Sequence, residues 1–140
     1  MSAQKKIDLA NRYAEEVWNR GNIDQIDKLL AEDYQHGSPP PGMSPDREGF
    51  KQFASMAHSA FPDYQLEVED TLAQGDKVVQ RWTVHATHEG EFMGVPPTGN
   101  DVTFTGTSIY QIEDGKIVKD WTRADMMGLM RQIGAVPERA

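Results

Sequence analysis

The residues whose types and spacing could do chemistry cluster near the end of the chain. Asp125 follows Lys116-Ile-Val-Lys-Asp-Trp-Thr-Arg-Ala and precedes Met126-Met-Gly-Leu-Met-Arg-Gln-Ile-Gly134. Read as a strand running into a short helix, this stretch gives Asp125 the same parity as Ile117, Trp121 and Arg123. Desolvation in a partly apolar pocket raises a carboxyl pKa, which makes an acid or base usable near neutral pH. Trp121 and its methionine-rich neighbours would supply the apolar wall. Arg123, if it points the same way, would pull the pKa down and could bind a substrate carboxylate or carbonyl. The same aspartate could simply cap the helix that follows, a contribution of about 1 kcal/mol, and both roles could hold together. Asp120 is a rival of opposite parity, in step with Val118 and Thr122, and is expected to face outward. A one-residue bulge would exchange the two assignments.

Four histidines are present. His88 shares parity with Trp82 and Val84 on the face expected inward, and His36 sits beside a proline-rich loop, so both could reach the mouth of a pocket. For each, a structural hydrogen bond to a loop is an equal reading. His85, in step with Arg81 and Thr83, is expected outward, and His58 is expected at the surface of a helix. Asp125, His88 and His36 are thus the candidate catalytic residues. Trp82, Trp121, Arg123, Tyr34, Phe92 and Phe53 are the candidate pocket wall. The spacings lack a His-x-His or His-Glu-x-x-His pair, so no metal is expected. There is no Gly-x-Ser-x-Gly elbow, and Gly90-Glu-Phe-Met-Gly94 lacks the Lys-Ser/Thr of a phosphate loop. The order of elements also excludes a dinucleotide-binding fold.

Three helices must come first. Ile7, Ala10, Tyr13, Ala14 and Val17 mark a helix from Ala3 to Arg20, ended by Gly21. Asn22 can cap a shorter one from Ile23 to Ala31. Glu32 to Gly42 is expected as a rim loop, entered through a short extended piece around Tyr34 to His36. Ser44 and Pro45 suit the start of a third helix, whose core stripe is Phe50, Phe53, Ala54, Ala57 and Phe61. After Pro62 the period changes to two. Four long antiparallel strands are expected, around Tyr64–Glu69, Val78–His88, Val102–Ile112 and Ile117–Asp125. Asp114-Gly115 makes a hairpin turn and Gly90–Gly99 a long loop. A helix from Met126 to Ile133 closes the domain, and residues after Val136 are expected to fray.

Helices segregated from strands imply an α+β class: a curved antiparallel sheet wrapped around the N-terminal helices, forming a cone with an internal pocket. The 140 residues, 38% of them hydrophobic, suit a single domain spanning 1–140. No cysteine is present, which removes disulfides and thiolate chemistry. The net charge of −8, from 14 Lys plus Arg against 22 Asp plus Glu, argues against a nucleic-acid partner. No run approaches the ~18–20 apolar residues of a membrane span, and no signal peptide is read at the start, so a cytoplasmic location is expected. The outward face, carrying Thr103, Thr105, Thr107, Ile109 and Gln111, is neither polar nor apolar throughout, and a homodimer through it is expected.

The blocks Tyr13-Ala-Glu-Glu-Val-Trp-Asn-Arg-Gly21, Asp33-Tyr-Gln-His36, Arg47-Glu-Gly-Phe-Lys-Gln-Phe53, Thr87-His-Glu-Gly-Glu-Phe-Met-Gly-Val-Pro-Pro-Thr-Gly99 and Gly128-Leu-Met-Arg-Gln-Ile-Gly134 carry a resemblance over nearly the whole chain. Together they resemble the SnoaL-like polyketide cyclases, or ester cyclases. The resemblance implies the nuclear-transport-factor-two-like (cystatin-like) fold and oligomerisation through the sheet. It implies a cofactor-independent intramolecular aldol condensation on a small, hydrophobic, aromatic polyketide, with an aspartate near the end of the last strand as acid and base. Asp125 is the position that best matches. His36 and His88 fall where the family commonly carries histidines. Related proton-transfer chemistry in the same pocket stays open; the alternatives are a hydrophobic-ligand-binding domain of the same fold without chemistry, and a homo-oligomeric interaction module whose sheet face is the functional surface.

Overall fold

A computed structural model of the chain describes residues 1–40 and 42–135. The tail expected to fray after Val136 lies outside the described residues. Helix α1 (Ala3–Tyr13) starts at Ser2, whose hydroxyl accepts from the Lys5 amide at 3.1 Å. It buries Leu9, Ala10 and Tyr13. The helix then changes register, and Ala14–Asn19 is a π-helical segment that buries Val17 and Trp18. A 3₁₀ turn (Ile23–Gln25) and one turn of helix α2 (Ile26–Leu29) follow. The longer helix expected to reach Ala31 stops early because Leu30 is already extended and begins a strand.

That strand, β1 (Leu30–His36), was expected only as a short extended piece. Helix α3 (Arg47–Ala60) is capped by Asp46, which accepts from the Gly49 amide at 2.9 Å. Ser44 and Pro45, expected at its start, lie outside it, because the Pro45 carbonyl is used by the His36 amide at 2.7 Å. Four longer strands complete the sheet: β2 (Gln65–Gln74), β3 (Lys77–Thr87), β4 (Asp101–Glu113) and β5 (Lys116–Ala124). Helix α4 (Met126–Gln132) ends the described fold.

The sheet order is β1-β5-β4-β3-β2. β2 to β5 pair antiparallel, but β1 joins β5 in parallel, so the sheet is mixed and has five strands rather than four. The β4–β5 hairpin turns at Asp114 and Gly115, both at positive φ, as the Asp-Gly pair requires. β3 buries Val78, Gln80, Trp82, Val84 and Ala86 in strict alternation. Residues of β4 from Val102 to Ile112 follow the same period.

β5 departs from this alternation. Ile112 pairs with Ile117, but Gln111 pairs with Lys119, so Val118 is an extra residue on β5. The bulge reverses which residues face inward beyond it. Ile117 is buried before it, and Asp120 is buried after it. The expectation that Asp120 points outward and Trp121 inward is therefore reversed. The signal was Lys119: unbroken alternation from Ile117 would have sent a lysine into the core.

Helices α1, α3 and α4 cover the inner face of the sheet and enclose a cavity of about 470 Å³. Gly106 makes its floor possible. A Cβ there would lie 2.3 Å from the Trp82 ring and 2.8 Å from the Arg123 carbonyl, so only glycine lets the indole cross β4. Among the described residues, no helix is long and apolar enough to cross a membrane.

Candidate active site

The sheet register brings one row of side chains across the inner face. His36 on β1 pairs with Asp120 on β5, which pairs with Tyr110 on β4. The next inward row pairs Thr122 with Ser108, and Ser108 with Gln80. Asp120, Ser108 and Thr122 are thus placed by β-pairing and line the cavity.

Asp120 is 3% exposed. Its Oδ2 accepts from the Tyr34 hydroxyl at 3.0 Å, and its Oδ1 accepts from the Thr122 hydroxyl at 2.8 Å. The Trp82 indole N–H, which can only donate, reaches the Ser108 oxygen at 3.0 Å. Ser108 and Thr122 are 2.9 Å apart. Since Thr122 donates to Asp120, Ser108 donates to Thr122, and the chain of hydroxyls runs in one direction from Trp82 to the carboxylate. Burial raises the pKa of Asp120, and it outweighs the opposing effects of His36, Thr122 and Tyr34. A carboxyl so placed can exchange a proton closer to neutrality than an exposed aspartate.

His36 Nε2 lies 3.6 Å from Asp120 Oδ1, with both side chains almost fully buried. The Ser38 amide donates to His36 Nδ1 at 3.0 Å, so that nitrogen is an acceptor and the ring proton sits on Nε2, facing Asp120. Burial lowers the His36 pKa, with the Arg123 charge acting in the same direction and Asp120 against it. Both shifts favour uncharged partners. The His36 Nε2 edge faces Asp120 Oδ1 at a separation longer than a hydrogen bond.

The remaining sequence candidates divide. Trp82, Phe92 and Phe53 line the cavity, and Arg123 lines both the cavity and a groove on the outer face. Tyr34 is fully buried behind Asp120. Trp121 faces the outer side of the sheet, where Lys119 Nζ stands 4.9 Å from its ring centre. Its ring seats against Gly37, where a Cβ would lie 2.4 Å away. Asp125 is exposed and caps α4, accepting from the Gly128 amide at 2.9 Å. It lies on the outer groove with Arg81 and Arg123, away from the cavity.

His88 is fully buried, with Nδ1 3.0 Å from the Thr98 hydroxyl, and it ties the 89–100 loop to the end of β3. His58, expected at the surface, is half-buried: its Nε2 lies 2.7 Å from the Val17 carbonyl and its ring stacks on Trp18 at 5.8 Å. His85 is exposed beside Glu67, as its parity predicts. Among the described residues, no group of three or more His, Asp or Glu side chains is arranged to hold a metal ion. Sequence reasoning missed Tyr13, Ser108, Thr122 and Tyr110 as cavity residues. Of these, Ser108 and Tyr110 have the inward parity of β4, and Thr122 joins them once the Val118 bulge is known.

Residues 8–133 match the family model described as SnoaL-like polyketide cyclase. Aklanonic acid methyl ester cyclase DnrD of Streptomyces peucetius is 30% identical over 145 aligned positions, covering 96% of this chain and 92% of that protein. Aklanonic acid methyl ester cyclase DauD of Streptomyces sp. (strain C5) is 29% identical, over 92% of this chain and 81% of that protein. Among solved structures, TsrD from Streptomyces laurentii superposes with a TM-score of 0.87 at 28% identity, covering 97% of this chain and 99% of that one.

Proposed function

The chain belongs to the SnoaL-like polyketide cyclase family, and from that premise we propose that it closes a ring on an aromatic polyketide ester, with Asp120 rather than Asp125 as the acid and base. The observation that carries this reading is the buried Asp120 carboxyl on the wall of an apolar cavity, its pKa raised by burial and its two oxygens held by Tyr34 and Thr122. The relatives' named substrate, aklanonic acid methyl ester, fits the class that such an aromatic-lined cavity would hold.

In the proposed step the carboxylate removes a proton from a carbon flanked by carbonyl groups. The carbon–hydrogen pair becomes the enolate. The enolate carbon attacks a ketone carbon of the same molecule, and the new alkoxide takes its proton back from Asp120. The protein's contribution is one positioned proton carrier, about 10²–10⁴-fold, and a cavity that folds a flexible substrate into a reactive shape. His36 Nε2–H, 3.6 Å from Asp120 Oδ1, offers a second donor to the alkoxide. Arg123 at the mouth suits an ester or carbonyl oxygen of the substrate.

The test is turnover of aklanonic acid methyl ester followed by mass spectrometry and chiral chromatography. Asp120→Asn, which preserves shape and most hydrogen bonds, should lower kcat by at least about a hundredfold. Turnover equal to the wild type's would end this assignment.

We also propose a homodimer through the outer sheet face. Leu72, Val79, Ile109 and Trp121 stand in register across four strands as one apolar row, and Leu72 is 71% exposed. Rows containing Arg81 and Arg123 on one side and Lys77 and Lys119 on the other border it. A continuous apolar row with a charged rim suits a second copy of the same face.

A further inference from the structure

The π-helical segment Ala14–Asn19 has a local consequence that none of the roles above uses. Residues five apart on an α-helix point about 140° away from each other. Bonding from i to i+5 brings them back onto one side. Tyr13 and Trp18 are such a pair, and the Trp18 indole N–H donates to the Tyr13 hydroxyl at 3.1 Å. Both residues are buried and both line the cavity. Among the described residues, the Tyr13 hydroxyl makes no hydrogen bond besides the one it accepts from Trp18. The hydroxyl thus receives a hydrogen bond from behind and has its own proton unspent, in the cavity that Asp120 also lines.

We infer that Tyr13 is a further catalytic residue, donating a hydrogen bond to the substrate oxygen on which enolate charge develops, with Trp18 polarising its hydroxyl. The inference rests on the reading of the cavity as the site of enolate formation. When the carbon-bound proton passes to Asp120, the carbon–hydrogen pair forms the new C=C bond and the carbonyl π pair moves onto oxygen. Negative charge then leaves the carboxylate and appears on the substrate. Tyr13 is close enough to feel the Asp120 charge, as is Tyr110, whose ring stands edge-on at 5.5 Å from that of Tyr13. Burial holds the Tyr13 pKa well above its usual value, so its proton is shared in a hydrogen bond and not surrendered. A donor fixed in the wall of a largely apolar cavity needs no reorientation as the charge forms. The accepted bond from Trp18 strengthens the one Tyr13 gives.

The probe is 2-hydroxyanthraquinone, a planar tricyclic phenol whose phenolate is coloured and imitates the enolate oxygen. Titrating protein-bound probe with base gives its ionisation constant. The wild type is expected to bind the phenolate in preference to the phenol. Tyr13→Phe should reduce the bound phenolate-to-phenol ratio about tenfold while affinity for the neutral probe stays within twofold. Trp18→Phe, which leaves the phenol in place, should reduce the ratio by a smaller factor. An unchanged ratio in Tyr13→Phe, or a wild type that binds no phenolate, overturns the inference. If Tyr13→Phe does not fold, Trp18→Phe decides alone, and an unchanged ratio there overturns it. Failure of the Asp120 assignment has a different signature: retained turnover in Asp120→Asn, with the probe ratio still sensitive to Tyr13.

Discussion

Tyr34→Phe removes one oxygen and little else. The ring keeps its position against Phe50 at 6.0 Å, and no cavity opens. What goes is the 3.0 Å bond to Asp120 Oδ2, at a residue with no exposed surface, so water cannot take the place of the lost hydroxyl. A buried hydrogen bond to a charged acceptor contributes roughly 1.5–3 kcal/mol, and one to a neutral acceptor roughly 1 kcal/mol. For a domain of this size that corresponds to about 5–12 °C in Tm with Asp120 ionised, and about 3–5 °C with it protonated. The bond favours the ionised carboxyl, so its loss raises the folded-state pKa of Asp120 further. A carboxyl with a raised folded pKa lends stability that is fully present below its unfolded pKa and is lost as pH rises through the folded one. The Tyr34→Phe deficit should therefore be small in acid and widen as pH rises through the folded pKa of Asp120. Thermal denaturation by circular dichroism, run at a series of pH values from acid to neutral, measures the gap. A deficit that is constant with pH, or that shrinks as pH rises, would refute the account of how Tyr34 holds this carboxylate.

Two further outcomes follow from the same geometry. Asp125→Ala should cost about 1 kcal/mol of stability through the lost cap of α4, with kcat changed by less than about threefold; a hundredfold fall in kcat would return the acid–base role to this residue. Ile109→Glu, at the centre of the apolar row on the outer face, should convert a dimer to a monomer by analytical ultracentrifugation without loss of helical or strand signal. A wild type that sediments as a monomer, or a variant that remains dimeric, would remove the proposed pairing surface.

The α+β class and most element positions were legible because the two periods are clean: Phe50, Ala54, Ala57 and Phe61 on one helix face, and Val78 to Ala86 alternating on β3. Asp-Gly at 114–115 fixed one hairpin by its backbone demands alone. The candidate site was read less well, for three local reasons. Val118 is an extra residue on β5 and reverses every later assignment on it, which exchanged Asp120 and Asp125. β1 pairs in parallel with a strand far along the chain, and a short stretch such as Leu30-Ala-Glu-Asp-Tyr34, of mixed polarity, does not declare a distant partner. The π segment changes hydrogen-bond register while leaving apolar residues near helical spacing, so the meeting of Tyr13 with Trp18 has no signature in the pattern.

The sheet order also constrains how the fold can be assembled. β1 is made early, yet its one strand partner is β5, and 86 residues separate Tyr34 from Asp120. A chain growing from its N-terminus would have β2, β3 and β4 available to pair before β1 has a strand to join. Closing so long a loop is entropically costly and follows the local hairpins. A chain that lacks β5 carries His36 and the aromatic lining without the Asp120 carboxyl. The proposed acid–base pair is assembled only where β1 and β5 are both in place.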